Sequence, residues 1–269
     1  MKNINTLMRN YPNIINIKTR ENMKFKPGIE CAIISVNEPQ LDRCIDSANK
    51  QEVPFANIKH FNKIIPLAKA FNKAITSCEH EYMLFLSGDI ILFPSATRII
   101  LNAVGKNKIN LRTVYNFKFG VFDTFLMDTL TGFKLYRTEI ARDILFDEET
   151  LRDDIKAREL AKTKGAEEIC LYKKENAVLG IHCDDPTKKQ VFIRFYIDGC
   201  KMRNLHNSTG RFFDRTLLQL EKISLVYPND DRYGVGIKAW KEGYKNNDYE
   251  GSHNYLKEDK IYERYFKEK

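Results

Sequence analysis

The chain has 269 residues, 43% hydrophobic and 30% charged, a balance that excludes a disordered chain and an integral membrane protein. Thirteen glycines and eight prolines exclude collagen-like and low-complexity sequence, and no run approaches the ~20 apolar residues that span a bilayer. Lys and Arg outnumber Asp and Glu 44 to 36, a net charge of +8. That excess permits nucleic acid, an anionic membrane surface or a phosphorylated small molecule as a partner without choosing among them.

Residues 1–27 read as an N-terminal extension. Met1 to Lys26 has scattered charges and no apolar h-region, so a secretory signal is not expected and the cytoplasm is the expected location. Cys31-Ala-Ile-Ile-Ser-Val36 then reads as a strand buried on both faces. Asn37-Glu38-Pro39 ends it with capping residues and a first-turn proline. Leu41, Cys44, Ile45 and Ala48 follow at helical spacing. Phe55 to Phe61 is a weaker strand, and Leu67, Phe71, Ala74, Ile75 and Cys78 share one face of a second helix.

Tyr82-Met-Leu-Phe-Leu86 is a further buried strand, stopped by Ser87-Gly88-Asp89. Ile90 to Phe93 is apolar, and Pro94 opens a helix that runs to Gly105. Strand, helix, strand, helix, strand, helix is the pattern of a parallel α/β sheet. Beyond it, strands are expected in Leu111 to Val121, in Gly132 to Tyr136 and in Ala177 to Ile181, with a charged helix over Leu151 to Lys164. Gln190 to Ile197 alternates in the manner of a half-exposed strand. From Phe212 onward the chain reads as helices. The six cysteines (Cys31, Cys44, Cys78, Cys170, Cys183, Cys200) form no C-x-x-C pair, so neither a zinc site nor a disulfide framework is expected.

Ligands of α/β sheets bind beyond the carboxyl ends of the strands. Three polar segments qualify: Ser35 to Glu38, Ser87 to Asp89 and His182 to Asp185. No G-x-G-x-x-G follows the first strand and no P-loop occurs. Asp89, placed after a strand and a turn-forming glycine, suits Mg²⁺ or Mn²⁺, which take oxygen ligands and share them with substrate phosphates. His182 suits Mn²⁺ or a phosphate oxygen, although taken alone Asp89 and His182 read first as an ordinary turn aspartate and a satisfied loop histidine. Asp153 and Asp154 point roughly 100° apart on a helix, so only one can face a given pocket. Taken alone, that pair reads as ordinary acid at a helix N-terminus.

Three segments, in order, resemble GT-A glycosyltransferases of the family 2 type. Cys31 to Gln51 (CAIISVNEPQLDRCIDSANKQ) is similar to the family's first strand and helix. Leu67 to Pro94 (LAKAFNKAITSCEHEYMLFLSGDIILFP) is similar to its helix, strand and acidic metal motif. Thr131 to Gly165 (TGFKLYRTEIARDILFDEETLRDDIKARELAKTKG) is similar to its acceptor-side strand and the acidic pair that opens a helix.

The resemblance implies a Rossmann-like, mostly parallel central sheet flanked by helices over residues 28–210, with a helical C-terminal appendage over 211–269. It implies Asp89 as the metal-binding carboxylate and His182 on the metal or diphosphate. Asp154, ahead of Asp153, becomes the catalytic base; Asp123 and Asp128, which the resemblance does not single out, are the next candidates should neither serve. Ser35, Asn37, Glu38, Asn72 and Ser87 fall near the donor nucleotide. Ser87 stands at the first acidic position of the metal motif, and the acidic segment after the second strand is replaced by Lys59-His60-Phe61-Asn62-Lys63.

The implied activity is transfer of a sugar from a nucleotide-diphosphate donor to an acceptor hydroxyl, with inversion and with Mn²⁺ or Mg²⁺. The implied acceptor is a glycan, a lipid-linked molecule or a protein. The competing readings are a nucleotidyltransferase and a catalytically impaired GT-A-like binding protein. The first would carry a Gly-rich phosphate loop after the first strand, which Ser35-Val-Asn-Glu-Pro39 does not. No nucleic-acid-binding signature is found, so nucleic acid is not expected. The basic, Tyr-rich tail (Tyr244, Tyr249, Tyr255, Tyr262, Tyr265) leaves peripheral contact with the inner face of a membrane open, but packing on the core is the expectation, because Tyr is amphipathic and acids are interleaved.

Overall fold

The structure is a computed structural model that describes residues 26–106, 113–149, 153–172, 177–182, 185–209, 214–249 and 253–266. The expected N-terminal extension therefore lies, up to residue 25, outside the described residues.

The first half follows the expected alternation: β1 (Lys26–Ser35), α1 (Leu41–Asn49), β2 (Asn57–Asn62), α2 (Leu67–Ser77), β3 (His80–Ser87), β4 (Ile90–Leu92) and α3 (Ala96–Lys106). Then come β5 (Val114–Asp123), β6 (Asp128–Arg137), the short α4 (Thr138–Ala141), α5 (Asp153–Thr163), β7 (Glu167–Cys170) and β8 (Val178–His182). Four helices complete the chain: α6 (Lys188–Thr209), α7 (Arg215–Val226), α8 (Asp231–Asn246) and α9 (Tyr255–Phe266).

Eight strands form one sheet in the order β2-β1-β3-β6-β5-β8-β4, with β7 on the first half of β5. β2, β1 and β3 are parallel, and β5 is parallel to β7 and β8. β6 and β4 run against their neighbours. The sheet is thus mixed but mostly of one sense, with helices on both faces. Cys31 to Ile33 are fully buried because α1 and α3 cover one face of the sheet, while α2, α4 and α5 cover the other. Such a central strand needs a continuous apolar run, as the sequence has.

A third apolar cluster joins α6 to α7, α8 and α9 and takes in Phe125 and Leu126 from the end of β5. Within it α6 and α8 approach so closely that a Cβ on Gly199 would lie 2.1 Å from the Trp240 carbonyl oxygen, and one on Gly243 2.0 Å from that of Tyr196. Both positions require glycine. A division after residue 210 would separate α6 from the helices it packs against.

The strand expected over Gln190 to Ile197 is instead the first half of α6. Val191, Phe192, Phe195, Tyr196 and Ile197 are all buried, while Ile193 and Arg194 line a cleft. A helix covered on several sides is apolar on several sides, so its pattern loses the 3.6-residue stripe and imitates alternation. Tertiary burial overrides the β-propensity of this Val-, Ile- and aromatic-rich run.

Candidate active site

Four strands of one sense end at the same edge of the sheet: β1 at Ser35, β3 at Ser87, β5 at Asp123 and β8 at His182. Pairing register does the rest. In β4, which begins directly after Asp89, Ile90 lies opposite His182. On the other side of β8, Asp123 pairs with His182. Three residues distant in sequence are thereby set in a row.

His182 Nδ1 lies 2.8 Å from Asp123 Oδ2, and its Nε2 3.1 Å from Asp89 Oδ2. Arg194 of α6 reaches the same Asp123 oxygen at 2.8 Å. Asp123 is fully buried and also accepts the backbone N–H of Leu126 at 2.7 Å. Burial opposes its ionisation, but His182, Arg194 and that N–H outweigh it and keep the acid below its ordinary range. Burial likewise pushes the Asp89 carboxyl up. The imidazole of His182, the Ser87 hydroxyl and the Arg194 guanidinium overcome this and hold Asp89 well below the usual carboxylate range.

A second polar group sits at the ends of β1 and β2. The Ser35 hydroxyl donates to Asn62 Oδ1 at 3.2 Å, so the 2.6 Å contact with His60 has the imidazole Nε2 donating. Asn62 Nδ2 in turn donates to Asn37 Oδ1 at 2.9 Å. Asn37 holds a left-handed backbone (φ 68°), which asparagine tolerates better than most residues. Glu38 Oε2 accepts the Val36 N–H at 2.9 Å. Burial pushes the Glu38 carboxyl up, against the pull of the backbone donors, and the charges of Asp89 and Glu258 add to that rise.

These groups open onto one cleft of about 770 Å³. Ser35, Asn37, Glu38, Ser87, Asp89 and His182 all line it. Gly88 permits this convergence. A Cβ there would stand 2.5 Å from Glu38 Oε2 and 2.9 Å from Ser35 Cβ. The opposite wall is α6, which presents Gln190, Arg194, Asp198 and Lys201 at helical spacing.

The C-terminal segment completes the rim. The His253 carbonyl accepts the Leu67 N–H at 2.8 Å. The His253 ring lies 2.9 Å from Lys201 Nζ and 3.2 Å from Glu258 Oε1. Because an ammonium can only donate, Nε2 of His253 accepts and Nδ1 donates to Glu258.

Two expected site residues lie elsewhere. Asn72, expected near the donor, clasps the loop after α4. Its Nδ2 donates to the Phe146 carbonyl at 2.9 Å and its Oδ1 accepts the Phe146 N–H at 2.8 Å. Both ends of the amide are occupied by backbone, so Asn72 shapes a loop and does not line the cleft. Asp128 is taken by Arg215 at 2.6 Å on the surface. Asp153 opens α5, but the side chains of Asp153 and Asp154 lie outside the described residues.

Arg194 was invisible as a site residue, because its segment reads as a strand. Once the segment is a helix, the spacing of Gln190, Arg194, Ile197 and Lys201 is the signal that marks its cleft face.

Mn²⁺ or Mg²⁺ is commonly held by one or two carboxylates, with waters and substrate phosphates completing the shell. Asp89 Oδ1 is buried and accepts no hydrogen bond, which is the state of an acceptor left for a cation. Ser87 adds a hydroxyl in place of a second carboxylate. Among the described residues no three His, Cys, Asp or Glu side chains surround a common cation position. The residues therefore fit a cation carried on one carboxylate.

No family model and no curated protein matches the sequence. Solved structures do match the fold. A mannosyltransferase from Pyrobaculum calidifontis, solved with GDP-Man and Mn²⁺, superimposes with a TM-score of 0.50 at 10% identity, covering 88% of this chain and 84% of that one. TarS of S. aureus (residues 1–349), solved with UDP-GlcNAc, gives 0.44 at 13% identity over 82% and 79%. A cytidylyltransferase from Leptospira borgpetersenii gives 0.36 at 11% identity over 78% and 97%. The mixed sheet with helices on both faces, and its superposition on the mannosyltransferase, give this chain the GT-A glycosyltransferase fold.

Proposed function

We propose that this chain is a glycosyltransferase that moves a sugar from a nucleotide-diphosphate donor to an acceptor hydroxyl by single displacement with inversion. The observation that carries this reading is the Asp89–His182–Asp123–Arg194 chain at the carboxyl edge of the sheet, opening onto a cleft of about 770 Å³. The likeness in fold to a mannosyltransferase that holds GDP-Man and Mn²⁺ supports it as analogy.

Negative charge develops on the leaving diphosphate as the glycosidic bond breaks, so positive groups aimed at that place lower the barrier. Mn²⁺ or Mg²⁺ on Asp89 would supply part of that charge. Asp89 stays ionised because of its neighbours and is therefore ready for a cation. His182 is held by Asp123, which is itself held by Arg194, so the imidazole keeps one orientation at the diphosphate. Ser35, Asn37 and Glu38, on the β1 side, bind the donor's nucleoside. Ser87 stands where the family has a second acid, so a cation held by Asp89 would keep more water. The acceptor hydroxyl must lose a proton, and a positioned carboxylate suffices. Asp154, with Asp153 second, takes that role by resemblance.

The test is calorimetric titration of UDP, GDP and their sugar conjugates, with Mn²⁺, with Mg²⁺ and without either. Metal-dependent binding of one nucleotide, with a product of inverted anomeric configuration by NMR, is expected. Binding of none of them ends the reading.

A further inference from the structure

We propose that Asp198 and Lys201, on the α6 wall of the cleft, form a subsite for two adjacent hydroxyls of a sugar ring. The choice of a sugar rests on the reading above, but the subsite is tested without a nucleotide.

Both side chains line the cleft and both are partly buried. They stand three residues apart on α6, a spacing that sets Cβ atoms about 5–6 Å from each other. Asp198 follows Arg194 by one turn, about 6 Å along the helix axis. The pair therefore lies just beyond the place where Arg194 meets Asp123.

Neither of the two has an opposite charge in contact, and this sets them apart from the other charges of the cleft. Among the described residues, Asp89 faces His182, and Asp123 faces His182 and Arg194. Lys189 pairs with Asp259 at 2.8 Å, Glu258 lies 3.2 Å from His253, and Glu38 accepts the Val36 N–H. Asp198 accepts no hydrogen bond and joins no ion pair with any described residue, Lys201 included. Lys201 meets the accepting Nε2 of His253 at 2.9 Å and no carboxylate. A partly buried carboxylate without a donor is costly. Its open lone pairs are what a site holds ready for a ligand.

Lys201 is also held in place. One of its three donors is spent on His253, which leaves two for a ligand. His253 is fixed in turn, because its Nδ1 donates to Glu258 and its carbonyl accepts the Leu67 N–H at 2.8 Å. Glu258 also accepts from the hydroxyl of the buried Tyr249 at 2.9 Å. A connected polar network behind one lysine keeps its ammonium in one position. The same segment ties α6 to the start of α2 and so closes the cleft at this end. A closed end suits a ring or a chain terminus, and an extended peptide running through would meet the His253 segment.

The two charges together choose the ligand. A phosphate or carboxylate would gain from Lys201 and be repelled by Asp198, and an amine would suffer the reverse. A neutral ligand with a donor and an acceptor side by side satisfies both. In adjacent ring hydroxyls, one donates to Asp198 while its neighbour accepts from Lys201. Such a diol is carried either by the sugar being transferred or by a sugar at the end of an acceptor.

The experiment has two arms, both on the whole chain. The first is saturation-transfer NMR with the methyl glycosides of glucose, galactose, mannose and N-acetylglucosamine, with a Ser/Thr peptide and geranyl phosphate beside them. The second is calorimetry of UDP-glucose and GDP-mannose against UDP and GDP. Asp198→Asn and Lys201→Met should each weaken the sugar's binding about tenfold or more, the scale of one hydrogen bond to a charged group. Asp198→Asn breaks no contact and should keep the wild-type melting temperature. Loss in the glycoside arm assigns the diol to the acceptor. Loss for the nucleotide-sugar but not for the nucleotide assigns it to the transferred sugar. Glycoside binding in a chain that binds no nucleotide would end the catalytic reading and leave the subsite standing. The proposal is overturned if both variants match wild type in both arms. It is also overturned if wild type binds no glycoside and the sugar adds nothing to nucleotide affinity, or if the peptide or geranyl phosphate binds in place of the glycosides.

Discussion

His182 Nε2 stands 3.1 Å from Asp89 Oδ2, although 93 residues separate the two. The contact follows from register, because Ile90 pairs with His182 in adjacent antiparallel strands and Asp89 directly precedes Ile90. Asp89→Asn keeps the shape of the side chain and removes its charge. Metal-dependent nucleotide binding should vanish in calorimetry, while circular dichroism remains near wild type and the melting temperature falls, because the ionised carboxylate no longer faces His182. Undiminished Mn²⁺-dependent affinity in this variant would remove Asp89 from the site.

Arg194 should matter through Asp123 and not through direct contact alone. Asp123 is buried between the His182 imidazole and the Arg194 guanidinium, and removing one partner of a buried ion pair costs about 3–5 kcal/mol. Arg194→Met should therefore lower stability by an amount in this range and reduce turnover. Arg194→Lys should restore more of the stability than of the turnover, because an ammonium replaces the charge but not the planar fork. Chemical denaturation and steady-state kinetics on both variants separate the two effects.

Asp154→Asn should leave donor binding nearly unchanged and lower turnover by roughly 10²-fold or more, the usual scale for a positioned base. Asp153→Asn should have a small effect, since the two side chains diverge on the helix. A turnover loss confined to Asp153→Asn would reverse the assignment. If neither variant loses activity, the base lies elsewhere, and Asp198 on the cleft wall is the first residue to substitute next.

Glu258 gives the chain an acid-sensitive contact. Burial pushes its carboxyl up, but the His253 ring, the Tyr249 hydroxyl at 2.9 Å and the Asn254 N–H outweigh this, so the native value is depressed. A depressed carboxylate stabilises the fold fully above its unfolded value of about 4.3, and this contribution is lost as the pH falls through the native value. Glu258→Gln should flatten the fall of melting temperature below about pH 4 and leave that slope above about pH 6 unaltered. Parallel melting curves for the two proteins across the acid range would show that Glu258 carries no such linkage.

β1, β3 and the first three helices were legible because each of those two strands is one apolar run and each helix one apolar stripe, punctuated by Pro39, Gly88 and Pro94, whereas β2 buries only Phe61 and gave the weaker signal. Ser35, Asp89 and His182 were legible as polar residues that end such runs. Arg194 was not, because α6 is enclosed by the sheet edge and three helices, and its sequence lost the stripe that names a helix. Asn72 misled for the opposite reason. An asparagine in a helix beside a cleft looks like a ligand contact, and only the position of Phe146 shows that backbone consumes both ends of its amide. The Asp123–His182 pair depends on the register of β5 against β8, which no local pattern encodes.

The glycine contacts between α6 and α8 bear on how this chain can be divided. α6 supplies one wall of the cleft, yet Gly199 seats it on Trp240, and Tyr196 seats it on Gly243. A fragment ending near residue 210 would keep every sheet residue of the site and lose the surface on which Arg194 is held. It would also uncover Phe192, Phe195 and Tyr196, which are buried in the whole chain. The helices after α6 therefore cannot be exchanged as a module in the way that appended domains often are. Shifting α8 would move α6 with it, and through Arg194 and Asp123 would turn the ring of His182.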